Sequence, residues 1–259
     1  MSYDANAMAR TTLGDWLARE PFGLAMSSGF FAFYAHTGML DALVRRQLVP
    51  RHVAGSSAGA LVAGAWAAGV PPHELAAVLA AIERRDFWDP APGAGLLAGR
   101  KIDALLRRML PVATFDACRV PVRISVFDIL ARRTAVLERG DLADAIRASC
   151  AVPAMFHPVW LSARTGARDR RRPYWDGGVL DRPGLAGAPA GRLLLHHIAA
   201  RSPKLPRAPN GIELVTLVIE DLPRVGPFRL AAGRRAMALA RDATERALDR
   251  PILDGVVRG

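Results

Sequence analysis

Short apolar runs alternate along this chain with longer segments whose apolar residues recur at helical spacing. Residues 22–27, Phe-Gly-Leu-Ala-Met-Ser, have the length and composition of a buried strand. Gly29 then opens a turn, and Tyr34, Leu40, Leu43 and Val44 predict a helix running to about Arg46. A second strand is expected to end at Val53-Ala54. Residues 55–69 are apolar nearly all round, the pattern of a buried helix. Pro71-Pro72 starts a further helix, with Leu75, Val78, Leu79 and Ile82 on one face and Glu83-Arg84-Arg85 at its end.

Residues 89–99, rich in proline and glycine, predict a loop of the kind that covers or lines a binding site. Residues 101–110 read as a short helix. Val120, Val122, Ile124 and Val126 alternate with polar positions, which predicts a strand with one buried face, and 133–137 can pair back onto it. A helix is expected over 141–149 with Asp141 as its cap. Two short strands, 159–162 and 172–175, flank a basic turn. Two apolar runs, 193–198 and 214–219, precede an arginine-rich helix over 228–249. This alternation predicts a three-layer α/β/α sandwich around a mainly parallel sheet. The chain shows no internal repeat and no linker: residues 1–20 read as an N-terminal extension and 21–259 as one domain.

Composition narrows the possibilities. Half of the 259 residues are hydrophobic (51%), which excludes a disordered chain. Two cysteines, Cys118 and Cys150, exclude a disulfide framework and a four-cysteine zinc site. An aromatic content of 7% is too low for a platform that stacks single-stranded bases. The first 20 residues carry Asp4, Asp15 and Glu20 and do not read as a secretory signal. The longest apolar stretch, 58–72, is too short to span a bilayer. The expected location is cytoplasmic, compatible with peripheral contact at a membrane. The net charge of +11 comes almost wholly from arginine and is scattered, apart from a cluster at Arg164, Arg168, Arg170, Arg171 and Arg172. Such a charge favours anionic membrane surfaces or headgroups; with no accompanying motif, no specific nucleic acid is expected.

The chemistry concentrates at Gly55-Ser56-Ser57-Ala58-Gly59, a Gly-x-Ser-x-Gly pattern between a strand and a buried helix. A serine at so sharp a turn takes a strained conformation. Glycines two residues before and after leave room for the crossing backbone, and the helix directs its unpaired N–H groups at the turn. A serine nucleophile needs a base. Trp175-Asp176-Gly177-Gly178 places an aspartate at a strand end beside aromatic residues, where desolvation makes a carboxylate more basic; the same residues also fit an ordinary Asp-Gly turn.

Together these segments resemble the patatin-like phospholipase family in its bacterial form, whose signatures are Gly-x-Ser-x-Gly and Asp-Gly-Gly/Ala. A third block, Ala148-Ser149-Cys150-Ala151-Val152-Pro153-Ala154-Met155-Phe156-His157-Pro158, is similar to a stretch that precedes the aspartate in members of that family. The resemblance implies an α/β/α fold and a serine–aspartate dyad without histidine. Ser57 is then the nucleophile and Asp176 the base of a lipid acyl-ester hydrolase, with no cofactor and no metal. The family's glycine-rich oxyanion loop corresponds here to Ser27-Ser28-Gly29-Phe30-Phe31-Ala32-Phe33, in which only Gly29 is glycine. Backbone N–H groups of Ser28, Gly29 and Phe30 are the expected oxyanion donors. Two other readings stand beside this one: a non-catalytic lipid-binding protein that keeps the fold, and a Ser-Asp-His triad hydrolase using His196 or His197. His36 reads as a packing or hydrogen-bonding residue, and Cys150 as a buried, inert thiol.

Overall fold

The apolar runs become strands and the periodic segments helices in a computed structural model that describes residues 11–165, 168–199 and 204–259, without the side chains of 163–170. From the N-terminus come α1 (Leu13–Arg19), β1 (Gly23–Met26), α2 (Phe33–Arg45), β2 (His52–Ser56), α3 (Ala58–Ala68), α4 (Pro72–Ala81), β3 (Gly95–Leu97) and α5 (Arg100–Met109). There follow β4 (Val122–Asp128), β5 (Arg133–Leu137), α6 (Leu142–Ser149), β6 (Ala154–Phe156), β7 (Val159–Thr165) and β8 (Arg168–Asp176). The chain closes with β9 (Gly191–His197), β10 (Ile212–Val218), α7 (Ala231–Leu248) and β11 (Val256–Arg258).

The main sheet runs β11-β10-β9-β1-β2-β4-β8-β7, with β5 also paired to β4. The six strands from β11 to β4 are parallel; β5, β8 and β7 are antiparallel to their neighbours. The fold is thus mixed α/β with a mainly parallel sheet. Its larger core joins Leu24, Met26, Val53, Ile124 and Leu194 to the buried sides of α1, α2, α3, α4, α6 and α7. On the opposite face, Ala25, Leu193 and Leu195 are covered by Leu185 and Ala188 of the segment after Asp181, which supplies the outer layer there. Sequence-coded ends recur: Pro72 opens α4, Gly69 closes α3 in the left-handed region (φ 102°), and Asp141 accepts from the Asp144 amide at 2.8 Å to cap α6. Among the described residues no helix is long and apolar enough to cross a membrane.

The structure departs from the expected pattern in several places. β2 continues through Gly55 and Ser56, and the following helix begins only at Ala58. The expected loop over 89–99 contains β3, which pairs in parallel with β6 in a separate two-stranded sheet. One face of β4 is buried throughout, as expected, and on the other only Ser125 is buried, beneath the segment that follows Asp181, whose carboxylate it donates to at 2.5 Å. The strands flanking the basic turn extend through 159–165 and 168–176; the side chains of Arg164, Arg168 and Arg170 lie outside the described residues. At the N-terminus α1 buries Leu13, Trp16 and Leu17, and Trp16 donates from Nε1 to Glu213 at 2.7 Å while Arg192 stacks 4.1 Å over its ring.

Candidate active site

Ser57 occupies the single residue between β2 and α3, with φ 53° and ψ −119°. A serine in this region stores on the order of 1–3 kcal/mol and stays there only when its surroundings hold it. The surroundings are specific. A Cβ on Gly55 would lie 2.5 Å from the Gly59 carbonyl, and one on Gly59 would lie 2.0 Å from the Met26 carbonyl oxygen, so the turn closes only with glycine at both positions. The Ser57 amide donates to Ser149 Oγ at 2.8 Å, whose hydroxyl donates to the Ser125 carbonyl at 2.7 Å. Cys150 Sγ–H donates to the Ser57 carbonyl at 3.2 Å; burial and the nearby Asp176 charge hold its thiol far above the ordinary range, so it remains protonated. Ser56, beside Ser57, is wholly buried.

Sheet register brings the second residue to this point. Ser56 is level with Ser125 on β4, and the next β4 residue, Val126, is level with Asp176 at the end of β8. Asp176 therefore lies two strands from the turn at the height of Ser57. Ser57 Oγ donates to Asp176 Oδ2 at 2.6 Å, and the Gly178 amide donates to Oδ1 at 2.7 Å. The carboxyl is only 6% exposed. Burial raises its pKa to about 6, against the opposing pull of the bonds from Ser57 and Gly178. The Asp-Gly turn is also present, since Asp176 caps the short 3₁₀ turn Gly177–Val179. A Cβ on Gly177 would lie 2.2 Å from the Ser125 carbonyl oxygen.

Of the three residues expected to supply oxyanion donors, Ser28 is otherwise engaged: its amide donates to the Arg182 carbonyl at 2.7 Å, a contact across 154 positions that no local pattern reveals. The amides of Gly29 and of Ala58, the residue after Ser57, have no acceptor among the described residues. Phe30 and Phe31 stack edge to face, 4.9 Å between centroids, and line the site with Gly29.

His36 and His196 form a buried pair, Nδ1 to Nδ1 at 2.8 Å, while His36 Nε2 lies 2.8 Å from the Ser27 carbonyl. That carbonyl can only accept, so His36 carries its proton on Nε2 and His196 Nδ1–H donates to it. Burial keeps both rings neutral, pushing His36 down to about 4 and His196 well below its ordinary range. The pair ties α2 to β9, and the bond to Ser27 ties α2 to the end of β1. No hydrogen bond joins His196 to Ser57 or Asp176, and the Ser57 hydroxyl is bonded to the carboxylate directly. His197 lines the same groove as Ser57 and Asp176.

Ser57 stands where two hollows meet. An apolar cleft, about 1010 Å³ with its mouth, is lined by Phe31, Val78, Leu79 and Ile82, by Leu97 of β3, and by Ile102, Leu105, Leu106 and Met109. The 89–99 segment lines the cleft as its composition predicts; α4 and α5 line it too, residues 102, 105, 106 and 109 of α5 following the helical i, i+3, i+4, i+7 spacing. Among the described residues, Ser57 is the only hydroxyl in its lining, and no charged side chain lines it. The second hollow, about 840 Å³, is a polar groove formed by Ser27, Ser28, Asp176, Arg182 and His197. Arg171 and Arg172 of the basic cluster line neither: Arg172 is paired with Asp128 at 2.8 Å, and Arg171 donates to the Trp160 carbonyl. Among the described residues, no three His, Cys, Asp or Glu side chains gather as metal ligands.

Comparison with known proteins adds three findings. The family model for patatin-like phospholipases matches residues 24–188. Uncharacterized NTE family proteins of Mycobacterium bovis and Mycobacterium tuberculosis are each 34% identical over 162 residues, 61% of this chain but only 42% of their own length. Among solved structures, VipD of Legionella pneumophila aligns over 89% of this chain and 67% of its own, with 14% identity and a TM-score of 0.48. The ExoU–SpcU complex of Pseudomonas aeruginosa aligns over 90% of this chain and 52% of the matched chain, with 14% identity and a TM-score of 0.46.

Proposed function

The chain belongs to the patatin-like phospholipase family, and from that premise we propose that it hydrolyses acyl esters of lipids through an acyl-enzyme on Ser57. The observation that carries the proposal is the 2.6 Å hydrogen bond from Ser57 to a buried carboxylate, at the meeting point of an apolar cleft and a polar groove. Asp176 takes the hydroxyl proton as Ser57 Oγ attacks the ester carbonyl. The oxyanion of the tetrahedral intermediate receives hydrogen bonds from the amides of Gly29 and Ala58, supported by the N-terminus of α3. Collapse breaks the ester C–O bond, and the alcohol leaves with the proton from Asp176. A water molecule, deprotonated by Asp176, then attacks the acyl-enzyme; the acyl–Oγ bond breaks, the fatty acid leaves and Asp176 returns the proton to Ser57 Oγ.

The cleft fits the acyl chain, being apolar along its length, and the groove with Arg182 fits the headgroup side of a phospholipid or lysophospholipid. In this reading residues 21–259 form the hydrolase domain. The test combines covalent labelling with turnover. A fluorophosphonate should label wild-type protein at Ser57. Ser57→Ala and Asp176→Asn should each lower hydrolysis of a short-chain nitrophenyl ester by roughly a thousandfold or more. Folded wild-type protein that neither takes the label nor turns over ester overturns the proposal and leaves a lipid-binding protein.

A further inference from the structure

The mouth of the apolar cleft joins Trp88, half-buried against the main core, to Phe228, which the core does not use. Phe228 is 72% exposed, and its ring stands 6.2 Å from that of Trp88, which lines the cleft beside Pro227. The Arg84 guanidinium lies 5.9 Å from the Trp88 centroid and 5.4 Å from that of Phe228, and Arg84 makes no ion pair among the described residues. Arg229 follows Phe228 and is exposed as well. Across Ser57, Val179 is 41% exposed at the edge of the polar groove.

A phenylalanine held this far in water forgoes most of the benefit of burial. Aromatic rings flanked by arginine suit one setting well: the rings enter the boundary of the acyl region while the guanidinium meets the phosphate layer. The surrounding charge selects the kind of surface, since an anionic leaflet attracts each cation near it. Arg84 stands at the rim aromatics, Arg229 is the exposed residue after Phe228, and the whole chain carries +11. The rim is also continuous with a hollow lined by no charged side chain, whose natural occupant is a hydrocarbon chain.

We infer that Arg84, Trp88 and Phe228 form a docking surface for a bilayer with anionic headgroups, which seats the cleft mouth on the membrane. An acyl chain then passes towards Ser57 without crossing water. The inference rests on the hydrolase reading for the purpose of docking, though the contact itself is tested without it.

Co-sedimentation with vesicles of phosphatidylglycerol, or of phosphatidylcholine alone, provides the test. Wild-type protein should bind the anionic vesicles about tenfold more tightly or better. Arg84→Glu changes two charges at the surface and should weaken that binding roughly 30-fold. Phe228→Asp should weaken it about tenfold or more. Leu253→Asp, at a position 59% exposed and lining neither hollow, should bind as wild type. Phe228→Asp should keep its melting temperature and turn over a water-soluble butyrate ester within about twofold of wild type. Equal binding to both vesicle types, or wild-type binding by both rim variants, overturns the docking surface. Rim-dependent binding by a wild-type protein that hydrolyses no ester keeps the docking surface and overturns the hydrolase reading; ester hydrolysis with rim-independent binding does the reverse.

Discussion

At the scale of single residues, the buried carboxyl of Asp176 bears on stability and, under the proposed chemistry, on activity. As the proposed base it must be ionised, so with its pKa at about 6 turnover should fall as pH drops through 6 and level off above it. Its linkage to folding has the opposite sign from that of a salt-bridged aspartate. The folded value lies above the reference 3.8, so the native state holds this proton more tightly than the unfolded chain. The group therefore costs stability as pH rises from about 4 to about 6, and the cost is complete above that window. Asp176→Asn should remove the penalty along with the activity. The variant should exceed wild type in urea unfolding at pH 8 by on the order of 2–3 kcal/mol, and match it at pH 3.5. The meeting of Ser57 with Asp176 was legible in the sequence because the proposed chemistry needs those residue types in those settings. Ser149, which holds the Ser57 amide, and the Ser28–Arg182 bond were not, because spacing along a chain does not reveal which amide already has an acceptor.

At the scale of elements, two helices set the depth of the cleft. α4 presents Val78 and Leu79, and α5 presents Ile102, Leu105 and Met109. Val78→Trp should fill the hollow without touching Ser57. Hydrolysis of long-chain esters should fall about tenfold or more in kcat/KM while butyrate turnover stays within about twofold, measured across an ester series. Equal losses on all chain lengths would show that the wall does not read chain length. α4 and most strands were readable from periodicity. The end of β2 was misplaced by two residues, because Gly55-Ser56 belongs to the strand that delivers the strained turn while its composition matches the helix beyond. β3 was missed because its partner, Ala154–Phe156, lies some sixty positions away.

At the scale of the whole molecule, the sheet joins distant parts of the chain. β1, near the N-terminus, lies between β2 and β9, and α1 rests on α7 and bonds to β10. From the sequence, residues 1–20 lack an apolar core of their own; in the fold, Leu13, Trp16 and Leu17 share one with α7. Removing residues 1–20 should lower the melting temperature by on the order of 10 °C, read by thermal unfolding, because it strips three buried side chains from the main core. A deletion variant that melts with wild type would mean that this helix contributes little to the core.

The two hollows meeting at Ser57 also bear on the order of events. With separate exits for the two halves of an ester, the alcohol half can depart and its replacement arrive while the acyl half stays parked. Turnover under the proposed chemistry then never requires the long chain to be let go and recaptured between its two chemical steps.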